Sequence, residues 1–189
     1  EVASRDLEKA VSLVMDSAAH EITRYALNGI LLDLGRNGCA VASDGKQLSK
    51  AALPASGKCR AIWPAQALKI ACRMTGPLVV RMNRPEKDEV PVFGSITGDR
   101  IEIHTRLVEG NFPDYEAVIP NDEPTATLTV ERKPLAEALT RLGGLATTRD
   151  PAARFEADAR SLNLLARTPD GQTVTAKVEI GRRGANVHV

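Results

Sequence analysis

Three segments of the chain carry one hydrophobic pattern. Val2 is followed by Leu7, Ala10, Val11 and Val14; Ile62 by Ala67, Ile70, Ala71 and Met74; Val130 by Leu135, Ala138, Leu139 and Leu142. In each, the first residue closes a short strand-like stretch and the other four stand at relative positions 0, 3, 4 and 7. That spacing marks the buried stripe of a short amphipathic helix. Around the helices the pattern turns to period two or to β-rich runs, at residues 27–34, 38–43, 78–82, 90–96 and 100–107, then at 154–166 and 173–189. The repeating order is strand, helix, several strands.

That order predicts an α+β fold of repeated strand-helix-strands units, with antiparallel sheets and the helices on one face. Two such units side by side can share a sheet. Turn-forming clusters separate the strand runs at Arg36-Asn37-Gly38, Ser43-Asp44-Gly45, Asn83-Arg84-Pro85 and Thr168-Pro169-Asp170-Gly171. The Pro-Asn-Asp-Glu-Pro run at residues 120–124 is the best interdomain linker. A length of 189 residues allows one full domain plus part of another.

Composition narrows the classes. Charged residues are 26% and apolar ones 43%, an ordinary soluble balance. No stretch approaches the roughly 18 consecutive apolar residues of a membrane helix, so no membrane contact is expected. Glu1 stands where a methionine would begin, no basic-then-apolar leader follows, and both ends read as cuts. Cys39, Cys59 and Cys72 are odd in number and fit no metal spacing, which points to buried thiols in a reducing cytoplasm. No metal and no cofactor is expected. A net charge of +1 means that nucleic acid would have to be met by local clusters of cations. Aromatics at 3% argue against a surface that stacks single-stranded bases, whereas a reader of duplex backbone does not need them.

Two blocks of residues carry a family resemblance. Residues 106–115 read Arg-Leu-Val-Glu-Gly-Asn-Phe-Pro-Asp-Tyr and continue to Val118-Ile119-Pro120. Arg24-Tyr25-Ala26-Leu27-Asn28-Gly29 is followed at the expected separation by Val41-Ala42-Ser43-Asp44-Gly45-Lys46-Gln47-Leu48. The first block resembles the signature that closes the middle domain of the bacterial DNA polymerase III β subunit, the DNA sliding clamp. The second resembles that family's RYxLNG and ATDGHRL elements. The clamp fold is itself a repeat of strand-helix-strands units, two per domain.

The resemblance covers nearly the whole chain, most closely up to Pro120. It implies that residues 1–121 are the clamp middle domain, with two repeat units, and that 125–189 are the first repeat unit of the third. Family members have three domains per subunit and dimerise head to tail into a ring around duplex DNA, held without regard to base sequence. They catalyse nothing. The family's peptide cleft, between the second and third domains, takes short linear motifs of the DNA polymerase III α subunit and of the clamp loader. Matching residues are Leu27, Ser43, Gly45, Lys46, Gln47, Leu48, Pro113 and Val118. Leu27, Leu48, Pro113 and Val118 suit an apolar wall, where each buried apolar side chain of a partner contributes about 1.5–3 kcal/mol before ordering costs. Leu27 by itself reads as core.

For DNA, Arg24 and Tyr25 match family positions near the ring's inner face. Lys69 and Arg73, four apart on the second helix, are expected to share one face and reach phosphates, as Arg132, Lys133 and Arg141 can on the third. Each also reads as part of a solvated helix face. The departures from the family pattern are specific. Lys46 and Gln47 replace His and Arg, Asp150 falls where an aromatic is common, and Ala65 and Gln66 follow Pro64 where basic residues are usual. The sequence stops at Val189, before the Asn, Tyr and Met-Pro elements that complete the family's pocket. Half a pocket and a thinned basic face are expected.

Two other classes compete. An enzyme is disfavoured because His20, His104 and His188 lie on separate segments, without a Ser or Cys nucleophile motif, a phosphate-cradling glycine loop or a metal spacing. A clamp-like interaction module that binds partner peptides without encircling DNA would account for the thinned basic face.

Overall fold

Leu7, Ala10, Val11 and Val14 are all fully buried along helix α1 (Ser4–Val14), which follows the short strand β1 (Val2–Ala3). In the computed structural model the described residues are 1–19, 27–83, 91–124, 127–145, 152–158, 161–179 and 185–186. They fall into two units, Glu1–Pro120 and Asn121–Val189.

In the first unit, β2 (Gly29–Leu34), β3 (Cys39–Ser43), β4 (Leu48–Ala52) and β5 (Cys59–Pro64) form one antiparallel sheet in the order β4-β3-β2-β5. After helix α2 (Ala65–Ala71) come β6 (Pro77–Met82), β7 (Phe93–Thr97) and β8 (Glu102–Arg106). With β1 these make a second antiparallel sheet, β1-β6-β7-β8. Each repeat therefore lends its first strand to the other. β1, which precedes α1, pairs with β6 through Val2 and Leu78, and β5, which precedes α2, pairs with β2 through Ile62 and Leu31.

One core joins these parts. Ile30, Leu32, Ala40, Ala42 and Trp63 of the first sheet pack with Leu78 and Ile96 of the second and with the buried faces of both helices. Trp63 is completely buried and lies so close to β7 that a Cβ on Gly94 would stand 2.5 Å from its Cη2 atom. Glycine at that position is what lets the ring pass between the sheets.

The second stripe departs from expectation. On α2 the inward residues are Ala67, Leu68 and Ala71, while Ile70 is 41% exposed and the buried Met74 lies beyond the helix end. A helix of two turns cannot carry its stripe to a fourth position, and burying Leu68 rotates the inward face away from Ile70. Strand β4, an edge with half-exposed residues and a weak Leu-Ser-Lys-Ala-Ala pattern, was not among the expected runs.

In the second unit, helix α3 (Arg132–Gly143) covers one face of the antiparallel sheet β10 (Ala153–Ala157), β11 (Ser161–Arg167) and β12 (Thr173–Glu179). Strand β9 (Thr127–Leu128), before the helix, pairs with β13 (Ala185–Asn186). Ala138 and Leu142 meet Leu162, Leu164, Ala166 and Val178, with Val130 and Leu135 partly buried beside them. Leu139, expected in the stripe, is 36% exposed, because three strands cover a narrower band of the helix than the full pattern supposes. The run at residues 154–166 resolves into two strands paired with each other. Pro134 sits in the first turn of α3, where its missing N–H has no helical partner to lose. No helix among the described residues is long and apolar enough to cross a membrane.

Candidate functional site

The pleat of the first sheet sorts its residues by face. Ile30, Leu32, Ala40, Ala42, Ala61 and Trp63 point to the helices, and Leu31, Cys39, Val41 and Ile62 point the other way. On this outer face Leu31 pairs with both Val41 and Ile62, Val41 opposes Lys50, and Ser43 opposes Leu48. Both faces of β2 are thus covered, which is why its Gly-Ile-Leu-Leu-Asp-Leu sequence does not alternate.

The cover on the outer face is a strap of chain, residues 107–119. Val108 N–H donates to the Ile62 carbonyl at 2.9 Å, and Arg106 pairs with Glu109 at the start of the strap. Phe112 and Tyr115 then insert against Leu27, Leu31, Cys39, Val41 and Ile62, with their rings edge to face at 6.4 Å. The Tyr115 hydroxyl and Cys39 Sγ are 3.5 Å apart, and the Lys50 ammonium sits 4.9 Å from the centre of the tyrosine ring and 3.5 Å from Glu116. The contact with Cys39, followed by burial, raises the Tyr115 pKa, so the hydroxyl stays protonated.

Next to the strap stands the β3–β4 turn. Gly45 adopts φ +88°, a left-handed conformation that a side chain would strain. Ser43 Oγ accepts from Gly45 N–H at 3.0 Å and donates to the Gln47 carbonyl at 2.7 Å. Asp44 Oδ1 accepts from the N–H groups of Lys46 and Gln47, and these two bonds hold its carboxyl below the ordinary aspartate range. The turn and β4 are also tied to the 3-10 turn Met15–Ser17 that follows α1: Gln47 Nε2 donates to the Asp16 carbonyl at 3.3 Å, and Ser17 and Ser49 share a 2.6 Å hydroxyl bond.

Of the residues expected in a peptide cleft, Leu27 and the half-buried Leu48 come together in the apolar cluster under the strap. Ser43, Gly45, Lys46 and Gln47 form the turn beside it. Pro113, between the two aromatic anchors, is exposed, and Val118 is 68% exposed. Phe112 and Tyr115 were not singled out from sequence. Their signal was scarcity, since the chain has only three Phe, two Tyr and one Trp and places two of them three residues apart.

The cations expected at DNA are placed differently. Arg24 and Tyr25 lie outside the described residues, as do Asp150, His20 and His188. Lys69 is in the last turn of α2, but the helix ends at Ala71, so Arg73 is on the turn beyond it and not on the same helix; both are exposed. The exposed positions of α1 carry Asp6 and Glu8 beside Arg5 and Lys9. On α3, Arg132 and Lys133 occupy the first turn without an acidic residue. Cations there oppose the helix dipole by about 0.3–1 kcal/mol each at exposed sites, a cost that an anion near the helix N-terminus would offset.

Among the described residues no group is set up for covalent chemistry. Burial, with Asp33 second, pushes the Cys59 thiol up to about 11, and burial also raises Cys72, so both are thiols and not thiolates at neutral pH. His104, exposed on β8, lies 3.5 Å from Glu102. Among the described residues no three metal-binding side chains gather.

Solved structures share this fold. A β sliding clamp of Caulobacter crescentus matches with a TM-score of 0.83 at 21% identity, over 97% of this chain and 50% of its own. The DNA polymerase III β subunit of Thermotoga maritima matches with 0.76 at 26% identity and the same coverage. The architecture is that of the sliding clamps. In sequence the chain is 24% identical to the β sliding clamp of Pseudomonas putida and 25% to that of Caulobacter vibrioides, each over 97% of this chain and 50% of the relative. No family model matches it. The chain is thus similar to the bacterial β sliding clamps over nearly its whole length, and it spans about half the length of the curated relatives it matches.

Proposed function

We propose that this chain is part of a DNA sliding clamp, a non-catalytic, cytoplasmic processivity factor that closes as a head-to-tail ring of two subunits around duplex DNA. On this reading residues 1–121 are the middle of three domains and 125–189 the first repeat of the third. The observation that carries it is similarity to β sliding clamps over nearly the whole chain, joined to a fold in which two repeats exchange first strands. Function then follows from topology. A ring is held by closure, so its DNA contacts can be loose and base-independent, and cations such as Lys69, Arg73 and Arg132 need only graze phosphates.

The expected result is that the full-length protein is dimeric, is retained on nicked circular DNA, and is lost when that DNA is linearised. Equal retention on both forms would sink the encircling reading. It would favour the peptide-binding module instead, which the mixed charges of α1 and the neutral Ala65 and Gln66 opening α2 also support.

The tether is a short apolar motif of the polymerase α subunit or the clamp loader, seated beside the strap against Leu27, Leu48, Pro113 and Val118, with the turn of Ser43, Gly45, Lys46 and Gln47 at its edge. Pro113→Ala, at an exposed position, is expected to weaken such a peptide about fivefold while moving stability by less than about 0.5 kcal/mol. Leu27→Ala should lower both, since a buried leucine truncated to alanine costs about 2–5 kcal/mol. Peptide titration with unchanged affinity in both variants removes the cleft assignment.

A further inference from the structure

The strap divides the outer face of the first sheet. Leu27, Ser43 and Leu48 lie to one side of Phe112 and Tyr115. On the other, where β2 turns into β3, is a separate cleft of about 680 Å3, lined by Arg36, Lys50, Lys58 and Arg60 with Asp33 and Glu116. Both carboxylates are already engaged, Asp33 with Arg60 at 2.8 Å and Glu116 with Lys50 at 3.5 Å. Arg36 and Lys58 have no ion pair among the described residues, so the cleft carries uncompensated positive charge.

The loops that present these two cations are built into the sheet. Gly38 N–H donates to the Gly35 carbonyl at 3.0 Å, Leu53 N–H to Gly38 at 2.8 Å and Ala55 N–H to Gly35 at 2.9 Å. A Cβ on Gly38 would stand 2.6 Å from the Leu53 carbonyl, so the two loops are in close contact there. Neither cation must be ordered from a floppy loop on binding.

We propose that this basic cleft is a docking site for an acidic segment of a partner protein, distinct from the apolar cleft across the strap. Charge complementarity sets the class of ligand. The lining favours an acidic peptide over nucleic acid, because Cys39, Lys50, Arg60, Tyr115 and Glu116 belong to the strap-covered face of the sheet, whereas α1 and α2 pack on its other face. Along β3 the cleft residue Cys39 stands four residues from Ser43, about 13 Å at the usual strand rise. The strap lies between the two sites, so a partner that reaches both must cross over it, a corollary that rests on the clamp reading above.

The test uses the full-length protein and an Arg36→Glu, Lys58→Glu variant, titrated with a short all-acidic peptide, with an apolar-motif peptide and with a short DNA duplex. An Arg36→Gln, Lys58→Gln variant guards against misfolding of the charge reversal. The acidic peptide should bind the parent saturably and lose about tenfold in affinity in the reversed variant, with a smaller loss in the neutral one and a strong salt dependence. The apolar peptide should bind parent and variants alike. Failure of the apolar peptide alongside success of the acidic one would remove the cleft reading and uphold this one. No saturable binding of the acidic peptide, equal binding by the variants, or loss of duplex binding in place of peptide binding would overturn it.

Discussion

Trp63→Ala is expected to lower the unfolding free energy by about 3–5 kcal/mol, the range for deleting a large buried aromatic side chain. The ring is completely buried where the two sheets and both helices meet, so the space it leaves has walls on every side and little to collapse into it. Gly94→Ala attacks the same contact from across the core. Its new Cβ would lie 2.5 Å from Cη2 and 2.9 Å from Cζ2 of the indole, an overpacking of the kind that costs about 1–3 kcal/mol. The indole Nε1 has no hydrogen-bond partner among the described residues. Trp63→Phe therefore removes an unsatisfied donor while keeping most of the ring, and should fall within about 1 kcal/mol of the parent. Urea unfolding of the three variants and of the Gly94→Ala, Trp63→Phe pair measures this. A loss below about 1 kcal/mol for Trp63→Ala, or strict additivity in the pair, would refute the account of how the sheets are joined.

Phe112→Ala should act on both stability and binding. Phe112 and Tyr115 are the two anchors of the strap, and removing one buried ring takes away about 3 kcal/mol of the packing that holds the strap on the sheet. Pro113 stands between the anchors, so the wall proposed for a partner peptide loses its position even though Pro113 itself is unchanged. Peptide affinity is accordingly expected to drop at least tenfold, more than in Pro113→Ala, together with the loss of stability. Tyr115→Phe separates the contributions: it keeps the ring and the Lys50 contact, loses only the bond to Cys39, and should cost about 1 kcal/mol with little change in affinity. Should Phe112→Ala lose stability and bind peptide as the parent does, the strap is a lid over the core and not part of the cleft.

Local pattern revealed the units because the signals are local. Leu7, Ala10, Val11 and Val14 recur at helical spacing and are buried as one stripe, and Ser43-Asp44-Gly45 closes its turn through bonds within five residues. The same reasoning failed at Ile70 and Leu139, where a residue at the right spacing faces out because the helix is short or the sheet beneath it narrow. It also made Lys69 and Arg73 neighbours on a helix that ends between them.

By itself the sequence determined the repeat, the α+β class, the turns and the two blocks that resemble sliding-clamp motifs, since each rests on spacings of a few residues that set which way side chains point. Only the tertiary structure decided that the two repeats exchange first strands, that Phe112 and Tyr115 pin a strap across the sheet, and that Arg36 and Lys58 share a cleft with Lys50 and Arg60. Those are contacts between residues tens of positions apart. Backbone pairing and close packing choose them from many partners of equal hydrophobicity and charge, and no local periodicity records that choice.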